Sequence, residues 1–93
     1  GDAVFIAEVQ KVSPQELEAR IEKEPRFRKL ISMEADGDTV RVEISLPPES
    51  ADGATVFEWA VKNNYTLTEL HKKTVSLEDV FLNLTGQEEV PNA

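Results

Sequence analysis

The sequence predicts an α+β fold, an antiparallel four-stranded sheet with two helices on one face plus an additional C-terminal helix. Three observations carry this. Segments of strand and helix character alternate in the order strand, helix, strand, strand, helix, strand; the middle pair of strands flanks a tight-turn signal; and a fully punctuated apolar helix follows the last strand. With 93 residues, one domain is expected, because a chain of this size buries only about 60 to 65% of its unfolded surface and rarely divides its core.

The first segment, AVFIAEV, is rich in Val, Ile and Phe and apolar on both faces, as a central strand is when it is covered on at least one side. VSPQEL then starts a helix. Ser13 stands as N-cap, Pro14 at the first helical position and Glu16 at the third, with Val12 able to staple onto Leu17. Leu17 and Ile21 form a narrow apolar stripe, and Pro25 stops the pattern.

LISMEA and TVRVEISL surround DGD, so two period-two segments flank an Asp-Gly turn signal and form a hairpin. Val40, Val42, Ile44 and Leu46 share one face, where the helices are expected; Thr39, Arg41, Glu43 and Ser45 share the other, open to water or a partner. After the loop PPESADG, the segment ATVFEWAVKNN places Val56, Trp59 and Ala60 on one helical face with Phe57 and Val61 beside it. Asn63 and Asn64 end this helix, since Asn tolerates the left-handed conformation. YTLTELHKK alternates imperfectly and is polar, which suits a guarded edge strand.

With two right-handed crossovers, this order gives a ferredoxin-like βαββαβ split fold. The extra helix follows. Ser76 caps it, Asp79 completes an acidic variant of the capping box, Val75 staples onto Val80 and Gly86 supplies the left-handed stop. Leu77, Val80, Phe81 and Leu84 form a full apolar stripe, so this helix must dock on something. The domain is accordingly expected over residues 1–86, with a polar tail over 87–93.

Composition narrows the function classes. Hydrophobic residues make up 40% and charged residues 30%, the balance of a soluble folded domain, and the longest apolar run, Ala3 to Ala7, is far short of a membrane-spanning helix. No direct membrane insertion is expected. A net charge of −8 would repel the phosphate backbone of nucleic acid, so nucleic acid is excluded as a partner. The absence of cysteine removes disulfides, thiolate metal sites and thiol nucleophiles together.

The stretch SLEDVFLNLTG resembles the closing signature of the ATP-binding subunits of ABC exporters, the gliding-motility and multidrug type among them. In that family a small domain follows the nucleotide-binding domain and ends in Leu-Glu-Asp-Val-Phe-Leu-x-Leu-Thr-Gly. The match runs without a gap from Leu77 to Gly86, with Asn83 at the variable position. The rest of the chain resembles that domain in pattern, with a longer link, LPPESADG, between hairpin and second helix. The resemblance implies a noncatalytic C-terminal accessory or regulatory domain of a longer subunit. Its partners would be the nucleotide-binding domain of the same polypeptide, a second copy in a homodimer and, indirectly, the transporter permease. It would lie in the cytoplasm, peripheral to the inner membrane through the transporter. Leu77, Val80, Phe81 and Leu84 are the interaction residues it points to.

No catalytic, cofactor-binding or metal-ligating constellation is expected. The phosphate-loop pattern G-x-x-x-x-G-K-[ST] does not occur, and Gly1, Gly37, Gly53 and Gly86 are too scattered to cradle phosphates. His71, the sole histidine, is read as a half-exposed strand residue. Glu78 and Asp79 are read as helix-terminal acids, and Trp59 with Phe57 as core. A small-molecule-sensing module of the ACT type is the alternative, with its effector between helices or at a dimer interface.

Overall fold

Every strand of the computed structural model, which describes residues 1–74, belongs to one antiparallel sheet. The elements are β1 (Ala3–Gln10), α1 (Pro14–Glu22), β2 (Lys29–Asp36), β3 (Thr39–Leu46), a 3₁₀ turn (Pro48–Ser50), α2 (Gly53–Lys62) and β4 (Thr66–Lys72). The strand order is β2-β3-β1-β4, with β1 antiparallel to both β3 and β4. The protein is thus α+β with two helices and a four-stranded antiparallel sheet, compatible with a ferredoxin-like fold. The expected C-terminal helix, the domain limit at residue 86 and the polar tail lie outside the described residues.

Local chemistry accounts for most boundaries. The Ser13 side chain accepts the Glu16 N–H at 3.1 Å, satisfying one of the donors that a helix start leaves unpaired. The reciprocal half of the capping box does not form. The Glu16 carboxylate instead accepts the Tyr65 hydroxyl at 3.0 Å, a partner 49 residues away that no local pattern reveals. Asp52 caps α2, accepting both the backbone N–H and the hydroxyl of Thr55 at 2.9 Å, and these bonds hold its carboxyl below the usual range.

The α2 terminus is a Schellman motif: Asn64 adopts φ 61°, its N–H reaches the Val61 carbonyl at 3.0 Å, and the Tyr65 N–H reaches that of Ala60 at 2.8 Å. In the hairpin, Gly37 takes φ 63° and Asp38 does not go positive, the pattern of a type II′ turn.

One hydrophobic cluster fills the space between sheet and helices. Phe5, Ala7 and Val9 of β1 and Val40, Val42, Ile44 and Leu46 of β3 meet Leu17 and Ile21 of α1 and Val56, Trp59 and Ala60 of α2. Burying each aliphatic side chain stabilises the fold by about 1.5–3 kcal/mol. Trp59 occupies the centre, with Phe27 and Tyr65 edge-on to it at centroid distances of 5.2 and 5.5 Å. Glu24 is buried beneath this region, where the Arg26 guanidinium donates to it at 2.9 Å and holds its carboxyl below the usual range.

Phe57 is a correction to the sequence reading: it is 57% exposed rather than part of the core, and Val61 beside it is 56% exposed. At about 100° per residue, both lie well round the helix from the Val56, Trp59 and Ala60 face that the sheet covers.

Candidate functional site

The second face of the sheet carries no helix among the described residues, and its side chains follow from the register. On β1 the residues Val4, Ile6, Glu8 and Gln10 alternate with the buried Phe5, Ala7 and Val9 and therefore point away from the helices. Across β3 they oppose Ser45, Glu43, Arg41 and Thr39; across β4, Ile6 opposes His71 and Glu8 opposes Glu69.

That register places Glu8 and Glu69, two like charges, directly opposite each other, a destabilising cross-strand pair on its own. Arg41 resolves it. Its Nη1 donates to Glu8 Oε2 at 2.7 Å and to Glu69 Oε2 at 2.8 Å. The Arg41 hydrogen bond holds the Glu69 carboxyl below the usual carboxylate range, and the two glutamates push the guanidinium still higher. His71 Nδ1 lies 3.0 Å from Glu69 Oε1, and the Thr68 hydroxyl donates to Glu8 Oε1 at 3.2 Å. Thr68 can reach because β4 carries a bulge opposite Glu8 and Val9. The Lys73 ammonium completes the layer, 3.2 Å from Glu43 Oε2. Ile6, opposite Glu43 and His71, is buried on this face, 8% exposed.

The character changes toward the start of β1. Ile31 falls at a bulge in β2, between the pairs Leu30 with Ile44 and Ser32 with Glu43, and is 46% exposed. The bulge lets Leu30 and Met33 both pack against the core and leaves Ile31 outside. Ile31, Val4, Ala51 and Pro48 line a shallow groove of about 560 Å³ that Glu43, Lys72 and Lys73 also border. Such a surface can hold a partner by apolar contact at one end and by charge along the rest. Among the described residues no group of three or more His, Asp or Glu side chains is arranged to hold a metal ion.

Leu77, Val80, Phe81 and Leu84 lie outside the described residues. His71 sits in β4 with 48% of its side chain exposed. Sequence reasoning placed Arg41 on the open face but missed its convergence with Glu8 and Glu69. The one signal was Glu8 itself, a charge within an otherwise apolar strand.

No protein-family model matches the chain, and neither a curated protein nor a solved structure matches it. The functional reading rests on the residues and their arrangement.

Proposed function

We propose that this chain is a noncatalytic C-terminal accessory domain of an ABC exporter ATP-binding subunit. The observation that carries the reading is the ungapped Leu-Glu-Asp-Val-Phe-Leu-x-Leu-Thr-Gly stretch from Leu77 to Gly86. The element order and the strand order β2-β3-β1-β4 support it, since they suit a ferredoxin-like βαββαβ split fold to which the signature adds a terminal helix.

The domain acts mechanically. It contacts its own nucleotide-binding domain or the same domain of a second subunit, and so biases how two ATPase subunits approach and separate. The charged open face and the exposed pair Phe57 and Val61 are the surfaces that suit such contacts. In this role the domain sits in the cytoplasm beside the inner membrane, held there by the transporter. No helix among the described residues is long and apolar enough to cross a membrane.

The test is to read the coding sequence upstream of Gly1. An ATPase with a G-x-x-x-x-G-K-[ST] loop is the expected finding. An upstream region encoding no nucleotide-binding domain overturns the proposal.

A further inference from the structure

We infer that the open sheet face is the docking surface for a cationic helical segment of a partner protein, with the apolar end of that segment seated at Ile31 and its Lys or Arg side chains over the hairpin end of the face. This names the chemistry of a partner, which the exporter reading leaves open, and no step of it depends on that reading.

The face is divided by charge. At the hairpin end the register sets Glu34, Arg41, Glu8 and Glu69 in one row across all four strands, and Asp36 joins them from the next row, opposite Thr39. Four carboxylates therefore surround one guanidinium, a surplus of three negative charges. Residues 1–74 carry 14 Asp and Glu and 10 Lys and Arg side chains, so three of their four surplus negative charges gather on half of one sheet face. Arg41 is committed to Glu8 and Glu69, at 2.7 and 2.8 Å. Glu34 and Asp36 are exposed and form no ion pair among the described residues. Glu8, Glu34, Asp36, Thr39 and Arg41 line a depression of about 180 Å³, where an incoming cation meets carboxylates that the sheet leaves unneutralised.

The other end is apolar. Ile31, 46% exposed, borders the groove with Val4, Pro48 and Ala51, and there Glu43 is matched by Lys73. Lys72 also borders this end, so a cation is repelled at the groove and attracted at the hairpin, which fixes the direction of the segment. From the row of Val4 to that of Glu8 is four residues along β1, about 13 Å. On one helix face, positions seven or eight apart span about 10–12 Å, and the length of a Lys or Arg side chain covers the remainder.

Size and charge select this occupant over others. Four strands at about 4.8 Å and eight residues at about 3.3 Å give a face of about 500 Å², short of the roughly 800 Å² that each side of a standard protein interface buries. That area suits one helix rather than a second folded copy, whose own open face carries the same negative surplus. The surplus also turns away nucleic acid and anionic lipid.

The test titrates the full 93-residue chain with a synthetic helical peptide of about 18 residues, the length that spans the face. The peptide carries Leu in its first two turns and Lys in its last two, all on one side; a second peptide of identical composition interleaves the Leu and Lys positions. Nuclear magnetic resonance should show shifts at Ile31, Glu34 and Glu8, with the segregated peptide bound at least about tenfold more tightly than the interleaved one. Glu34→Gln combined with Asp36→Asn, and separately Ile31→Ser, should each weaken it at least about fivefold; all three positions are exposed, and circular dichroism verifies that the variants fold. Phe57→Ser, at an exposed position on α2, should leave the affinity within about twofold. Equal affinity of the two peptides means that net charge alone acts and overturns the inference. So does the absence of binding at millimolar peptide, or a set of shifts confined to the helices.

Discussion

Replacing Trp59 by Ala should bring the domain close to unfolding. Trp59 is 1% exposed, and its indole meets both Phe27 and Tyr65 edge-on, at centroid distances of 5.2 and 5.5 Å. Cutting a buried large aromatic to Ala costs about 3–5 kcal/mol in lost transfer energy and cavity. Each aromatic pair is worth a further 0.5–1.5 kcal/mol or so, which places this substitution at the upper end of that range. A domain of this length has a total stability of roughly 5–14 kcal/mol, so a third to nearly all of it is removed. At about 4–8 °C per kcal/mol, the melting midpoint should fall by at least about 15 °C. Circular dichroism is the appropriate probe, because the protein has one tryptophan and the variant loses its fluorescence. Phe57→Ala, at a position 57% exposed on the same helix, should shift the midpoint by only a few degrees. A Trp59→Ala variant that melts within 5 °C or so of the parent would refute the assignment of Trp59 to the centre of the core.

Arg41→Gln should remove the cation between Glu8 and Glu69, and its effect should depend on pH. The lowered Glu69 carboxyl contributes stability that is complete above the unfolded value, about 4.3, and is lost as pH falls through the folded one; melts should therefore separate parent from variant at pH 7 and draw together as acid protonates Glu69 in the folded state. Burial first, and then the hydrogen bond to Glu16, push the Tyr65 phenol up to about 12. Its neutral form stabilises the fold below the unfolded value near 10, a contribution lost as pH rises through 12, so ultraviolet titration of this sole tyrosine should show late ionisation and Glu16→Gln should advance it. Asn64→Ala should cost about 1 kcal/mol, because Asn64 holds φ 61° and a Cβ without a polar side chain is strained there, whereas Asn64→Gly should stay within about 0.5 kcal/mol in chemical denaturation.

What the sequence revealed follows the range of the interactions involved. Ser13 and Pro14 start α1, Asn64 ends α2, and the alternation from Val40 to Leu46 assigns β3 its two faces, because each depends on residues within a few positions of one another. Features that depend on pairing were hidden. LISMEA reads as plain alternation, yet its register slips at Ile31, since β2 gains more by turning both Leu30 and Met33 to the core. Phe57 reads as core because the apolar residues of α2 give a stripe wider than the sheet covers, which leaves Phe57 and Val61 outside. Asp52 escaped notice as a cap although the Asp-Gly-Ala-Thr run offered both the acceptor and the hydroxyl it binds. At the open face, the composition of β3 was legible and the clamp was not. Arg41 meets Glu8 and Glu69 across separations of 33 and 28 residues, which only the strand order determines.

The proposal places this chain within an ATP-binding subunit, and its most direct measurement is the behaviour of the polypeptide in which the chain is encoded after residues 1–86 are deleted from it. The account predicts that the truncated subunit still binds Mg-ATP with unchanged affinity in calorimetry, while its ATP-dependent self-association and hydrolysis rate change. Loss of ATP binding would place these residues in the nucleotide site. Binding, association and hydrolysis all equal to those of the intact subunit would contradict a role for the domain in bringing ATPase subunits together.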